Sequence, residues 1–191
     1  MSTSEVLPRI TSALDRAGIN YMLTGSLASA HYGAARSTLD IDIVIEATAE
    51  QLTAFVRSLP VTEYYVNLDA ALDAHRHQSL FNVIDTETGW KIDLILRKSR
   101  AFSLEEFGRR SSINVQGHQL FVASVEDVVI AKLEWSKLAQ SQRQVEDVAS
   151  ILKIRSQTLD KSYIRKWVSE LEIEPQWEQA KLAAGIFQEF E

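Results

Sequence analysis

The sequence predicts an α+β protein: a mixed β-sheet core with helices on one face, followed by a C-terminal helical bundle. Three observations carry this. The stretch Thr38 to Glu46, TLDIDIVIE, alternates with a period of two, so it reads as a strand with one buried face. Two further pairs of alternating segments flank turn signals and read as hairpins. From Ser124 onward a helical period takes over and runs to the end. The expected division is a core over residues 1–122 and a helical region over 123–191. Among the 191 residues 46% are hydrophobic, enough to build a real core.

Taken in order, SEVLPRITSALDRA (Ser4 to Ala17) reads as a first helix, stopped by Gly18. Tyr21 to Thr24 is a short strand that runs into Gly25-Ser26. The small, apolar LASAHYGA is a helix suited to close packing on a sheet. The strand with two aspartates follows. Thr48 then caps a helix, TAEQLTAFVRSL, with an apolar stripe of Leu52, Phe55, Val56 and Leu59. Leu68 to His75 is another short helix. SLFNVID and WKIDLILR form a hairpin around Thr86-Glu87-Thr88-Gly89. SINV and LFVA form a second, around the turn QGHQ. Ser124 and Asp127 make a start like a capping box. Helices are then expected near 125–139, 142–154, 160–171 and 175–184, with Pro175 in a first turn and Gly185 as a stop.

Composition narrows the function classes. No apolar run approaches the ~18 residues needed to span a bilayer. The N-terminus MSTSEVLPRI lacks the charged and apolar regions of a signal peptide. The absence of cysteine excludes a disulfide scaffold and thiolate-bound zinc, and fits a cytoplasmic protein. The net charge of -6 argues against broad capture of nucleic acid, which needs a basic surface.

Asp40 and Asp42 are the anomaly. Aspartate suits strands poorly, and like charges one pleat apart repel. In WKIDLILR, Ile92, Leu94 and Leu96 share one face, while Lys91, Asp93, Ile95 and Arg97 share the other. If the two strands are neighbours with their Ile/Leu faces on one core, Asp93 joins Asp40 and Asp42. Three converging carboxylates suit hard divalent cations, and two such ions ~3.5–4 Å apart can clamp an in-line phosphoryl displacement. The alternative is a solvated sheet face carrying three unrelated acids. Upstream, Gly25-Ser26 ends a strand and opens a helix, where close backbone approach and free N–H groups can hold a phosphate.

The combination LTGSLASAHYGAARSTLDIDIVI, with 13 residues between Ser26 and Asp40, followed by KIDLIL, resembles the DNA polymerase β-like nucleotidyltransferase superfamily. The motifs span about residues 20 to 97. The tail VEDVVIAKLEWSKLAQSQRQVEDVASIL looks like the helical region of bacterial nucleotidyltransferases related to the AbiE abortive-infection toxins. The resemblance implies that Asp40, Asp42 and Asp93 are catalytic and hold two magnesium (or manganese) ions, with Asp93 as base for the acceptor. It implies that Gly25 and Ser26 bind the phosphates of an NTP. The activity implied is transfer of a nucleotidyl group to a hydroxyl, on tRNA or another RNA end, a protein or a small molecule such as an aminoglycoside. A toxin–antitoxin or defence setting goes with it. The rival is a non-catalytic nucleotide-binding or interaction module, such as an antitoxin partner.

In the helical region, an apolar arc from Val125 holds Val128, Val129, Leu133, Trp135 and Ala139, with Lys132 and Ser136 near its middle. A lysine there demands a partner. It points at phosphate, as the resemblance implies, snorkels along the stripe to its edge, or pairs with a core acid. Arg143 and Asp147, four residues apart, read as a surface ion pair, though the resemblance associates both with the family's helical motif. Arg36 precedes the acidic strand and is a further phosphate candidate. Arg97, Lys98 and Arg100 form a small basic run. His75 and His77 diverge on their helix. His31 either lines the pocket or packs on Tyr32. Trp167 and Trp177 are core or interface.

Overall fold

The computed structural model describes residues 3–34, 37–38 and 40–187. The chain divides into two compact units, one of residues 1–27 and 37–123, the other of residues 28–36 and 124–191. In chain order the first unit contains α1 (Thr3–Arg16), β1 (Asn20–Leu23) and the opening of α2 (Gly25–Tyr32), whose later residues belong to the second unit. It continues with β2 (Asp40–Glu46), α3 (Ala49–Ser58), β3 (Tyr64–Val66), α4 (Leu68–His77), β4 (Leu80–Asp85) and β5 (Lys91–Leu96). It ends with α5 (Ala101–Gly108), β6 (Ser111–Val115) and β7 (His118–Val122). No helix among the described residues is long and apolar enough to cross a membrane.

The strands form one mixed seven-stranded sheet in the order β3-β4-β5-β2-β1-β7-β6. Alternation decides what it buries. Ile41, Ile43 and Ile45 of β2 and Ile92 and Leu94 of β5 are fully buried, while the residues between them are half-exposed or exposed. The two strands run parallel, and β4 and β5 form the expected antiparallel hairpin. That hairpin is pinned by Asp85, which is wholly buried. Its carboxylate accepts from the Glu87 and Thr88 amides in the turn at 3.2 and 2.9 Å, and from the Arg9 guanidinium at 2.5 Å. Thr48 caps α3 as expected, and the cap is closed into a full capping box: the Gln51 amide donates to Thr48 Oγ1 (3.2 Å), and the Thr48 amide to Gln51 Oε1 (2.9 Å).

Two elements go beyond the sequence expectation. β3 is only three residues long. α5 follows the basic run and buries Phe102 and Phe107, a spacing that shows no helical stripe. The second hairpin turns more tightly than the expected four residues. Its loop is Gln116-Gly117 alone, with φ of 52° and 86°, and His118 already pairs with Val115. Positive φ at both central residues is the condition of a type I′ turn, which glycine meets without strain.

The second unit holds α6 (Val125–Ala139), α7 (Gln142–Arg155), α8 (Lys161–Glu170) and α9 (Glu174–Ala184). The Asp127 amide donates to Ser124 Oγ at 3.2 Å, which caps α6. The buried arc of α6 differs from the expected one: Trp135 is 56% exposed and Ala139 is exposed, whereas Glu126 and Asp127 are buried. The reason is polar. Tyr163 donates its hydroxyl to Asp127 at 2.6 Å, and the Asp160 amide donates to Glu126 at 3.0 Å, so α8 packs over the acidic first turn of α6. Lys132 is buried too. Its ammonium donates to Asp147 at 2.7 Å and to Gln144 at 2.8 Å. Asp147 is therefore no surface residue; it is 7% exposed, and Arg143 is exposed.

Breaking a buried pair leaves an unneutralised charge and costs ~3–5 kcal/mol, whereas replacing both members with apolar groups is often neutral. Lys132→Met and Asp147→Leu should each destabilise the protein by about that amount. The double variant should recover most of the loss. Urea denaturation of the three variants checks this.

Candidate active site

The site residues occupy one row across the sheet. β2 and β5 pair so that Asp42 lies opposite Asp93 and Asp40 opposite Lys91. On the far side of β5, Asn82 of β4 lies opposite Asp93. On the far side of β2, the Thr24 amide at the end of β1 donates to the Asp42 carbonyl at 3.0 Å. Four strands thus align Asn82, Asp93, Asp42 and the Thr24-Gly25 turn. The ladders do the aligning, and alternation puts these side chains opposite the Ile/Leu face.

Each carboxylate has a distinct setting. The Asp93 side chain is 13% exposed, and that of Asp40 is 54% exposed. The Asn82 side-chain amide donates to one Asp93 oxygen. The Lys91 ammonium lies 3.0 Å from the other Asp93 oxygen and 3.5 Å from Asp40. The hydrogen bond to Asp93 raises the Lys91 pKa above its ordinary value, with desolvation opposing it and the charges of Asp93 and Asp40 adding to it. Asp42 lies against Gly25, which has φ of +62°. A Cβ on Gly25 would overlap the Asp42 carboxylate, falling 2.6 Å from its Cγ and 2.8 Å from its Cβ. So the glycine is required twice, by the left-handed backbone and by the aspartate it cradles. Ser26, the next residue, is buried in the first turn of α2.

The donor set fits divalent metal: three carboxylates, with no nitrogen or sulfur ligand among them, are what hard cations prefer. Among the described residues no three acidic or imidazole side chains are gathered as a ready metal site. Electrostatics explains this. Three carboxylates do not converge on their own, and here two of them are drawn to Lys91.

The remaining candidates are placed as follows. Lys132 and Asp147 pair with each other in the helical unit, so the lysine has found a core acid as partner. Arg36 lies outside the described residues, as does Leu39. Arg97 pairs with Glu46 at 2.6 Å, and Arg100 donates to Ser103 at 3.1 Å, so two of the three basic-run residues are held locally. His31 packs edge-on against Tyr32 with ring centroids 4.9 Å apart. His77 contacts the Asp73 carbonyl at 3.0 Å. Trp167 and Trp177 are buried. Sequence reasoning gave no role to Asn82 or Lys91. Lys91 was visible on the Asp93 face. Asn82 alternates in phase with Leu80 and Ile84, so the β4–β5 register alone brings it to Asp93.

Gly25→Ala should destabilise the protein by about 1–2 kcal/mol from the left-handed backbone alone, with more from the displaced aspartate. Gly25→Asn tolerates the backbone angle but not the overlap. If the overlap matters, thermal denaturation should show Asn recovering only part of the loss.

No family model matches the chain, and no curated protein does. Solved structures do. An antigenic nucleotidyltransferase-like protein from Paracoccidioides brasiliensis superposes with a TM-score of 0.56 at 16% identity, covering 96% of this chain and 95% of that one. The antibiotic-resistance factor ANT(2″)-Ia superposes with a TM-score of 0.51 at 14% identity, covering 98% of this chain and 92% of that one. The chain thus shares the fold of this nucleotidyltransferase-like protein and of ANT(2″)-Ia, with the Gly-Ser turn, the Asp-Ile-Asp strand and the third aspartate aligned on its one sheet.

Proposed function

We propose that the protein is a metal-dependent nucleotidyltransferase that moves a nucleotidyl group from an NTP to a hydroxyl and releases pyrophosphate. The observation that carries this reading is the β2–β5 register: it sets Asp42 beside Asp93, with Gly25 packed against Asp42. In this reading Asp40, Asp42 and Asp93 hold two magnesium ions. Metal bound by these residues would supply positive charge against the phosphates and would lower the pKa of the attacking hydroxyl. The chain's own residues do the rest. Gly25 and Ser26, at the start of α2, face the triphosphate, because the positive end of a helix dipole favours an anion and Gly25 lets the backbone come close. Asp93 takes the proton of the acceptor hydroxyl. The amide of Asn82 keeps the Asp93 carboxylate turned the right way for that transfer.

Calorimetry with magnesium and a non-hydrolysable NTP tests the binding half. Wild type should bind the nucleotide in a magnesium-dependent manner, and Asp42→Ala should lose at least tenfold in affinity. Equal affinity in the two would sink the reading. Labelled NTPs incubated with cell extract test the chemistry: a labelled product formed by wild type and absent with Asp93→Asn supports transfer. Nucleotide binding with no labelled product would favour the binding module instead.

A further inference from the structure

Lys91 is a cation set within the row of acids. Its ammonium is 3.0 Å from Asp93 and 3.5 Å from Asp40, so it bridges acids on two different strands. It holds the Asp93 oxygen that Asn82 leaves. It is also adjacent by backbone register, because Lys91 lies directly opposite Asp40 in the ladder. Its side chain is 44% exposed, so the stem has room to swing out without unpacking the core.

We propose that Lys91 is a built-in counter-cation: it neutralises Asp40 and Asp93 before metal arrives, and it must leave them for a divalent ion to bind. This rests on the reading of Asp40, Asp42 and Asp93 as metal ligands. The argument is one of competition for the same oxygens. A carboxylate oxygen bound to an ammonium at hydrogen-bond distance cannot present the same lone pair to a metal ion. Without Lys91, Asp40, Asp42 and Asp93 would repel across neighbouring positions of β2 and β5. With it, the strands can be laid down and the acids kept charged and ordered. Lys91 therefore stabilises the empty site and weakens the loaded one. Replacing it should move the two properties in opposite directions, which a purely structural lysine would not do.

The test is manganese titration by calorimetry, without nucleotide, on wild type, Lys91→Met, Lys91→Gln and Lys91→Arg, alongside thermal denaturation of each without metal. The two neutral variants should bind manganese about three- to tenfold more tightly than wild type, the size expected for the loss of partly exposed ion pairs. Their metal-free melting temperatures should fall. Lys91→Arg keeps the charge and should behave as wild type in both measurements. Manganese bound by the neutral variants and undetectable in wild type would support the same conclusion more strongly. Unchanged or weaker binding in both neutral variants, with wild type binding normally, would overturn the inference and leave the metal site intact. A tighter Lys91→Arg would overturn it too, since charge would then not be the cause. If no variant binds manganese, Lys91 is not what keeps the metal out and the inference is overturned, while the metal reading stands or falls separately on magnesium-dependent nucleotide binding.

Discussion

The parallel pairing of β2 with β5 settles both the core and the site, through a single register. One face of the pair buries Ile41, Ile43, Ile45, Ile92, Leu94 and Leu96. The other face carries Asp40, Asp42, Lys91 and Asp93. Because side chains alternate with a period of two, a slip of one residue would turn three isoleucines outward and two aspartates into the core. Each fully buried Ile or Leu side chain contributes ~1.5–3 kcal/mol, and burying an unpaired carboxylate costs more than that. Hydrophobic burial therefore selects the register, and the acidic row follows from it.

The sheet holds two kinds of aspartate, and burial separates them. Asp85 is fully enclosed, and its oxygens are taken up by Arg9 and by two amides of its own turn. That arrangement shapes the β4–β5 hairpin and leaves nothing for a ligand. Asp40, Asp42 and Asp93 are reached by solvent. Asp93 takes the exposed Asn82 amide and the half-exposed Lys91 ammonium, and Asp40 the same ammonium, groups that hold a carboxylate with ~1 kcal/mol or less per ion pair. Weak, removable partners suit a site that exchanges them for a cation, whereas an enclosed network suits a structural staple.

Polar contacts also decide the helical unit. Asp127, Glu126, Lys132 and Asp147 are all buried, against the ordinary preference of charged residues for water. Each is matched: Asp127 by Tyr163 and Ser124, Glu126 by the Asp160 amide, Lys132 by Asp147 and Gln144. These bonds orient α6 toward α7 and α8 by direction, which apolar contact alone does not do. The same rotation leaves Trp135 at the edge of the arc and exposed.

The amino-acid sequence by itself determined the period of β2, β4 and β5, the capped starts of α3 and α6, the bounds of the four C-terminal helices to within a residue, and the placing of each aspartate on the face opposite its strand's Ile/Leu stripe. All of these are local: caps, turn residues and alternation act over a few residues. It also carried the Gly-Ser turn. What needed the tertiary structure was every choice of partner. Lys132 sat in an apolar arc that asked for an anion, and the α6–α7 packing supplied Asp147 from 15 residues away. Trp135 looked like core until Tyr163 and Asp160 bonded to the first turn of α6. Asn82 came to donate to Asp93 through the hairpin register, and Lys91 came to pair with Asp40 through the parallel register. The physical reason is common to all four: periodicity states which side of an element must be buried or charged, while the identity of the group that meets it depends on contacts between segments distant in the chain.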